Sequence, residues 1–145
     1  GTLSVLAGID LVTGEVTGLV RERHSSDEFV EFLEALDAKY AKGLRIQVIL
    51  DNHSVHTSKQ TRQYLETVPN RFEFVFTPIH ASWLNVIKSF FAKMTRQVLR
   101  NIQVSSKAEM AERLETYLRE VNESPVRFRR TYTAPLDSRS NTQVI

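Results

Sequence analysis

Apolar and polar positions along the chain group into short runs with two different periods. Leu3 to Ile9 reads as a strand and Glu15 to Arg21 as a second. Asp10 to Gly14 between them is turn-like, so the two runs predict a β-hairpin. Ser25 and Glu28 have capping-box spacing, and Phe29, Phe32, Leu33, Leu36 and Tyr40 then fall on one helical face, with Gly43 suited to the helix end. Leu44 to Leu50 is a continuous run containing the β-branched Ile46, Val48 and Ile49, which predicts a buried strand. Thr57 and Gln60 repeat the capping-box spacing and open a helix through Tyr64, Leu65 and Val68, which Pro69-Asn70 breaks. Phe72 to Phe76 is another strand, stopped by Thr77-Pro78.

From Ala81 to about Arg100 the period is helical, with Leu84, Ile87, Phe91, Met94 and Val98 on one face. A last helix starts near Ser106, with Glu109 three residues on, and uses Met110, Leu114, Tyr117, Leu118 and Val121. The order is hairpin, helix, strand, helix, strand, helix, helix. Strands alternating with helices predict an α/β sheet with parallel members. Residues 1–124 form the domain in this reading, and residues 125–145 form a polar tail without periodicity.

With 145 residues, 41% of them hydrophobic and 25% charged, the chain suits one globular domain and excludes disorder throughout. The absence of cysteine removes disulfides, thiolate zinc sites and thiol nucleophiles. No apolar run approaches the ~18 residues of a membrane span, so no membrane association is expected. Net charge is only +2, but it is uneven. Residues 1–83 hold 8 Lys and Arg against 11 Asp and Glu, and residues 84–145 hold 11 against 6. The basic second part could face phosphate, or be ordinary solvated helix surface.

Ligands of such sheets lie at the carboxyl ends of the strands, and Asp51 stands at one. A carboxylate closing an apolar strand must be paired, capping or metal-bound. Asp51 and Asn52 are both good capping types, which is the competing structural role. His53 and His56 follow closely, but without a recognised zinc spacing, so holding the loop by hydrogen bonds is the favoured role. His24 and His80 are far away in sequence.

Asp51-Asn52 with His56, followed by Phe76, Thr77, Pro78, His80, Ala81, Ser82, Trp83, Leu84, Asn85 and Ile87, resembles the catalytic domain of mariner-like DDE transposases of bacterial insertion sequences. Gly8 to Gly14 looks like that family's early hairpin, Phe29, Phe32 and Leu33 like its first helix, and Tyr117 to Asn122 with Pro125, Val126 and Phe128 like its C-terminal end. The resemblance implies an RNase H-like, retroviral integrase-like mixed sheet flanked by helices. It implies cleavage and joining of transposon DNA ends by two divalent ions, Mg2+ or Mn2+, held by three carboxylates. Asp51 matches the second of these and is the expected catalytic residue. DNA is the implied partner and a cytoplasmic, nucleoid-associated setting the implied location, with no small-molecule substrate.

Two positions depart from the family pattern. The third carboxylate is expected three residues beyond Asn85, where the chain has Lys88, on the apolar side of its helix and directed toward the sheet. An ammonium repels a divalent cation but can bind phosphate. The first carboxylate belongs to a strand ahead of the hairpin, and the chain is expected to begin after it. Asp10 takes the metal-binding role only if the hairpin shifts by one strand. A missing strand would leave unpaired edges, so self-association, as a homodimer, or a rearranged sheet is expected. The resulting expectation is a core fragment that is itself inactive. The alternative is a DNA-binding or dimerising module that uses Lys88, Arg127, Arg129 and Arg130. A nuclease site built from Asp51, Asp10 and Glu73 is the remaining reading.

Overall fold

The computed structural model describes residues 3–76, 82–99, 106–125 and 140–144. The hairpin forms as the alternation predicts. Strand β1 (Ser4–Ile9) pairs antiparallel with β2 (Val16–Arg21), from Ser4 opposite Arg21 to Ile9 opposite Val16. Gly14 sits in the connecting turn with φ of 80°, a left-handed conformation that a residue without Cβ adopts freely. Helix α1 (Ser26–Lys39) begins where Ser25 meets Glu28: the Ser25 hydroxyl donates to the Glu28 carboxylate at 2.8 Å.

Strand β3 (Arg45–Leu50) is the middle of a three-stranded parallel sheet. It runs beside β4 (Phe72–Phe76) on one edge. On its other edge lies β5 (Ser140–Val144), so the tail expected to lack structure supplies a strand. Its sequence, Ser-Asn-Thr-Gln-Val, carries no apolar pattern that could have signalled it. Between β3 and β4 the chain makes a 3-10 turn (Ser54–His56) and helix α2 (Lys59–Thr67). The cap of α2 is Ser58, one residue later than the spacing suggests, and its hydroxyl accepts from the Thr61 N–H. Helices α3 (Ser82–Leu99) and α4 (Lys107–Glu123) complete the order, α4 being capped by Ser106.

Side chains alternate across these strands and build two cores. Leu6, Ile46, Val48 and Leu50 pack with Phe29, Phe32, Leu33 and Leu36 of α1. Ile9, Val16 and Val20 pack on the opposite face with Met94, Val98, Leu114 and Leu118 of α3 and α4. Ile49 and Leu11 meet Val86 and Ile87 of α3 on that same side. β3 is thus covered on both faces, which is why apolar residues occupy both of its faces from Ile46 to Leu50, with Gln47 the one polar exception.

α4 lies very close to β2: a Cβ added at Gly18 would stand 2.8 Å from Leu118 Cδ1. At the end of β2 the Asn122 side chain acts as a substitute strand. Its Oδ1 accepts from the Val16 N–H and its Nδ2 donates to the Val16 carbonyl, both at 2.7 Å. Replacing Asn122 by Ala strands both groups beside a buried valine. Asn122→Ala is expected to lower stability by about 2 kcal/mol in urea denaturation. Asn122→Asp, which keeps the acceptor but turns a carboxylate oxygen toward the Val16 carbonyl, should cost at least as much.

Candidate active site at the end of the central strand

Asp51 directly follows β3, and its position is set by that strand and by the 3-10 turn after it. The His56 ring folds back so that Nδ1 lies 2.8 Å from the Asp51 backbone oxygen. A carbonyl only accepts, so His56 carries its proton on Nδ1 and leaves Nε2 as an acceptor. The same Nδ1 is 3.6 Å from Asp51 Oδ1. The turn is pinned from below: Thr61, fully buried, donates to the Val55 carbonyl at 2.6 Å, and Ser26 of α1 donates to the Ser58 hydroxyl at 2.8 Å. Gln60 also reaches Asp27 across the two helices. These contacts fix the loop to two helices without closing it, and the Asp51 side chain remains 44% exposed.

Beside this carboxylate the rings form a short chain of tilted and edge-on contacts. Phe29 of α1 lies 4.6 Å from His56, His56 lies 5.8 Å from His53, and His53 lies 5.7 Å from His24. Burial holds the His56 imidazole below its ordinary value, against the opposing pull of the Asp51 carbonyl and carboxylate. His24 is the member sequence reasoning missed. It belongs to the segment between β2 and α1, and nothing in local spacing joins it to His53.

Asp10 is placed differently from the expectation that gives it a metal. It is 3% exposed and builds the hairpin turn. Oδ1 accepts from the Val12 and Thr13 N–H groups at 2.8 and 3.1 Å, and Oδ2 accepts from the Tyr40 hydroxyl at 2.9 Å. Burial and the Asp10 charge push the Tyr40 phenol well above its usual range, so it stays a donor. Tyr40 closes α1, just ahead of the start of β3, whereas Asp51 follows its end. Glu73 is likewise engaged elsewhere: it stands opposite Gln47 in the sheet, 3.6 Å from Arg45. Among the described residues, no group of three or more His, Asp or Glu side chains comes together to hold a metal ion.

Lys88 is an exposed position of α3, not one directed into the sheet; Ile87 and Phe91 take the half-buried places beside it. Lys93 and Arg96 are exposed on the same helix, and α3 contains no Asp or Glu. Arg127, Arg129 and Arg130, and Thr77 to Ala81 of the second motif, lie outside the described residues.

Residues 1–111 match the family described as DDE superfamily endonuclease. The chain belongs to that family. A 39 kDa protein of insertion element IS630 from Shigella sonnei is 26% identical over 113 residues, covering 78% of this chain and 33% of that protein. The chain therefore spans about a third of the length of this relative. Among solved structures, the catalytic core domain of BIV integrase superposes with a TM-score of 0.61 at 10% identity, covering 86% of this chain and 78% of that one. A simian T-cell lymphotropic virus intasome, solved with PP2A regulatory subunit B56 gamma, gives 0.50 at 12% identity, over 90% of this chain and 58% of that one. The fold of this DDE-family chain is accordingly the RNase H-like fold of retroviral integrase cores. No helix among its described residues is long and apolar enough to cross a membrane.

Proposed function

We propose that this chain is a catalytic-core segment of an insertion-sequence transposase of the mariner-like branch, whose whole protein cleaves and joins transposon DNA ends. In this reading the chain contributes Asp51 to a divalent-metal centre, and the family's first carboxylate comes from a strand ahead of the hairpin. The observation that carries the reading is a half-exposed carboxylate at the end of the middle parallel strand, inside the region that matches the family. A carboxylate oxygen suits Mg2+ or Mn2+. The residues present do not complete the site. Asp51 has no second carboxylate joined with it in a three-residue cluster among the described residues, and the third family position is Lys88, whose charge opposes a cation. The described residues would therefore not hold the metal pair by themselves, and in this reading the segment alone is inactive. Calorimetric titration of Mg2+ and Mn2+ is expected to show no saturable binding, in the unaltered chain or in Asp51→Ala. Saturable binding that Asp51→Ala abolishes would mean a working site and overturn the inactive reading.

A second reading follows from α3. Its exposed, all-basic charge favours a segment that binds DNA, cytoplasmic and at the nucleoid, and that pairs as a homodimer to regulate transposition without catalysis.

A further inference from the structure

Hydrogen bonds give the two imidazoles of the Asp51 loop opposite tautomers. The His56 ring is spent on the loop: its Nδ1–H donates to the Asp51 carbonyl, and Phe29 packs against it. His53 is arranged the other way. Its Nδ1 accepts from the Val55 N–H at 3.3 Å, as the cap of the 3-10 turn. An accepting nitrogen carries no proton, so this ring is neutral and its proton is on Nε2. Among the described residues nothing accepts from that Nε2–H, and His53 is exposed.

Capping alone does not call for a histidine. A cap needs one acceptor, which Asn, Asp, Ser or Thr supplies from a shorter side chain. Histidine adds a second nitrogen at the tip of the ring, on the side away from the turn. The plane of the ring is held as well. His24, from the segment ahead of α1, meets it edge-on at 74°, with ring centres 5.7 Å apart. That segment is tied to the same loop through Ser26 and Ser58. A donor of set direction therefore stands one ring away from the Asp51 carboxylate.

The charges around it are of one kind. Arg23 precedes His24 and Lys59 opens α2; both are exposed, and neither is in an ion pair among the described residues. The acids at the start of α1 are already engaged, Asp27 by Gln60 and Glu28 by Ser25. A neutral N–H beside free cations suits an acceptor oxygen that carries negative charge.

We propose that His53 is a phosphate-contacting residue. Its Nε2–H donates to a non-bridging oxygen of a DNA strand that runs past Asp51, with Arg23 and Lys59 flanking the same strand. The assignment rests on DNA as the partner of this chain. It needs the ring alone and no metal, so it is open to a segment that cannot hold the metal pair.

The test uses the full chain and a fluorescein-labelled DNA duplex with one recessed strand, read by anisotropy at several salt concentrations. His53→Asn keeps an acceptor for the Val55 N–H and removes the donor at the ring tip. This variant should bind about tenfold more weakly, with an unchanged urea midpoint. Its slope of log affinity against log salt should also be unchanged, because a neutral donor displaces no counterion. In the unaltered chain, nitrogen-15 spectra of the imidazole rings should place the His53 proton on Nε2, and DNA should shift that nitrogen while leaving His56 in place. These spectra decide the matter if the variant misfolds. Equal affinity of variant and unaltered chain overturns the proposal and leaves the DNA reading standing. Weaker binding with a shallower salt slope also overturns it, by making His53 a charge instead of a neutral donor. A His53 proton found on Nδ1 does the same. No binding of the duplex by the unaltered chain overturns both the proposal and the DNA reading beneath it.

Discussion

Arg71→Ala is expected to lower the free energy of unfolding by about 3–5 kcal/mol. Arg71 is 8% exposed and uses all five of its N–H groups. Nε donates to Asp37 Oδ1 at 2.8 Å, Nη1 to the carbonyls of Ala41 and Leu44, and Nη2 to those of Asp37 and Tyr40. The carbonyls at the end of a helix have no partner within it, so this guanidinium ends α1 and ties it to the start of β3. Its own carbonyl accepts from the Ile46 N–H at 2.7 Å, which registers β3 against β4. Truncation leaves four carbonyls and a carboxylate without their donor. For a chain of this size the melting temperature should fall by about 10–15 °C. Arg71→Lys should recover only a minor share, because an ammonium has three donors and no planar fork. A loss under about 1 kcal/mol in a denaturant titration would mean that water replaces the guanidinium at little cost.

In the DNA-binding reading, replacing Lys88, Lys93 and Arg96 together by Gln is expected to remove most of the salt-dependent affinity for duplex DNA. Each phosphate contact contributes about 0.9 to the slope of log affinity against log salt. Three such contacts give a slope near −2.7, which amounts to about 40-fold between roughly 50 and 200 mM salt. The triple variant should therefore bind more weakly at low salt and respond less to salt. The three positions are exposed, so the fold should be unchanged by circular dichroism. An unchanged slope would place the DNA contacts elsewhere, with Arg127, Arg129 and Arg130 next to be replaced.

Much of the fold is legible in the sequence because its signals are local. The caps of α1 and α4 are set by pairs three residues apart, Ser25 with Glu28 and Ser106 with Glu109. The α2 cap shows the limit of that logic. Thr57 and Ser58 are adjacent and both competent, and tertiary contacts decide between them: Ser26 donates to the Ser58 hydroxyl from another helix. β5 has no local signal at all; its pairing depends on a parallel partner about a hundred residues away. Asp51 and His56 can be paired from spacing because they share one loop. His24 cannot, since only the packing of α1 beside that loop brings its ring to His53. Asp10 shows the opposite case. Its position in the chain permits a metal role, and the turn it builds with Tyr40 uses its oxygens instead. Helical periodicity alone admits Lys88 to the apolar side because that face is broad; Ile87 and Phe91 fill the side without it.

The contact between Asn122 and Val16 spans 106 positions of the chain. During synthesis the hairpin leaves the ribosome ahead of α4, which arrives about a hundred residues later to complete the cover of its Ile9, Val16 and Val20 face. At ~5–20 residues per second that face waits roughly 5–20 seconds for its cover. Over that interval the nascent chain carries an apolar hairpin face without its full cover, so its yield in a cell should depend on chaperone capacity and on translation rate through α4.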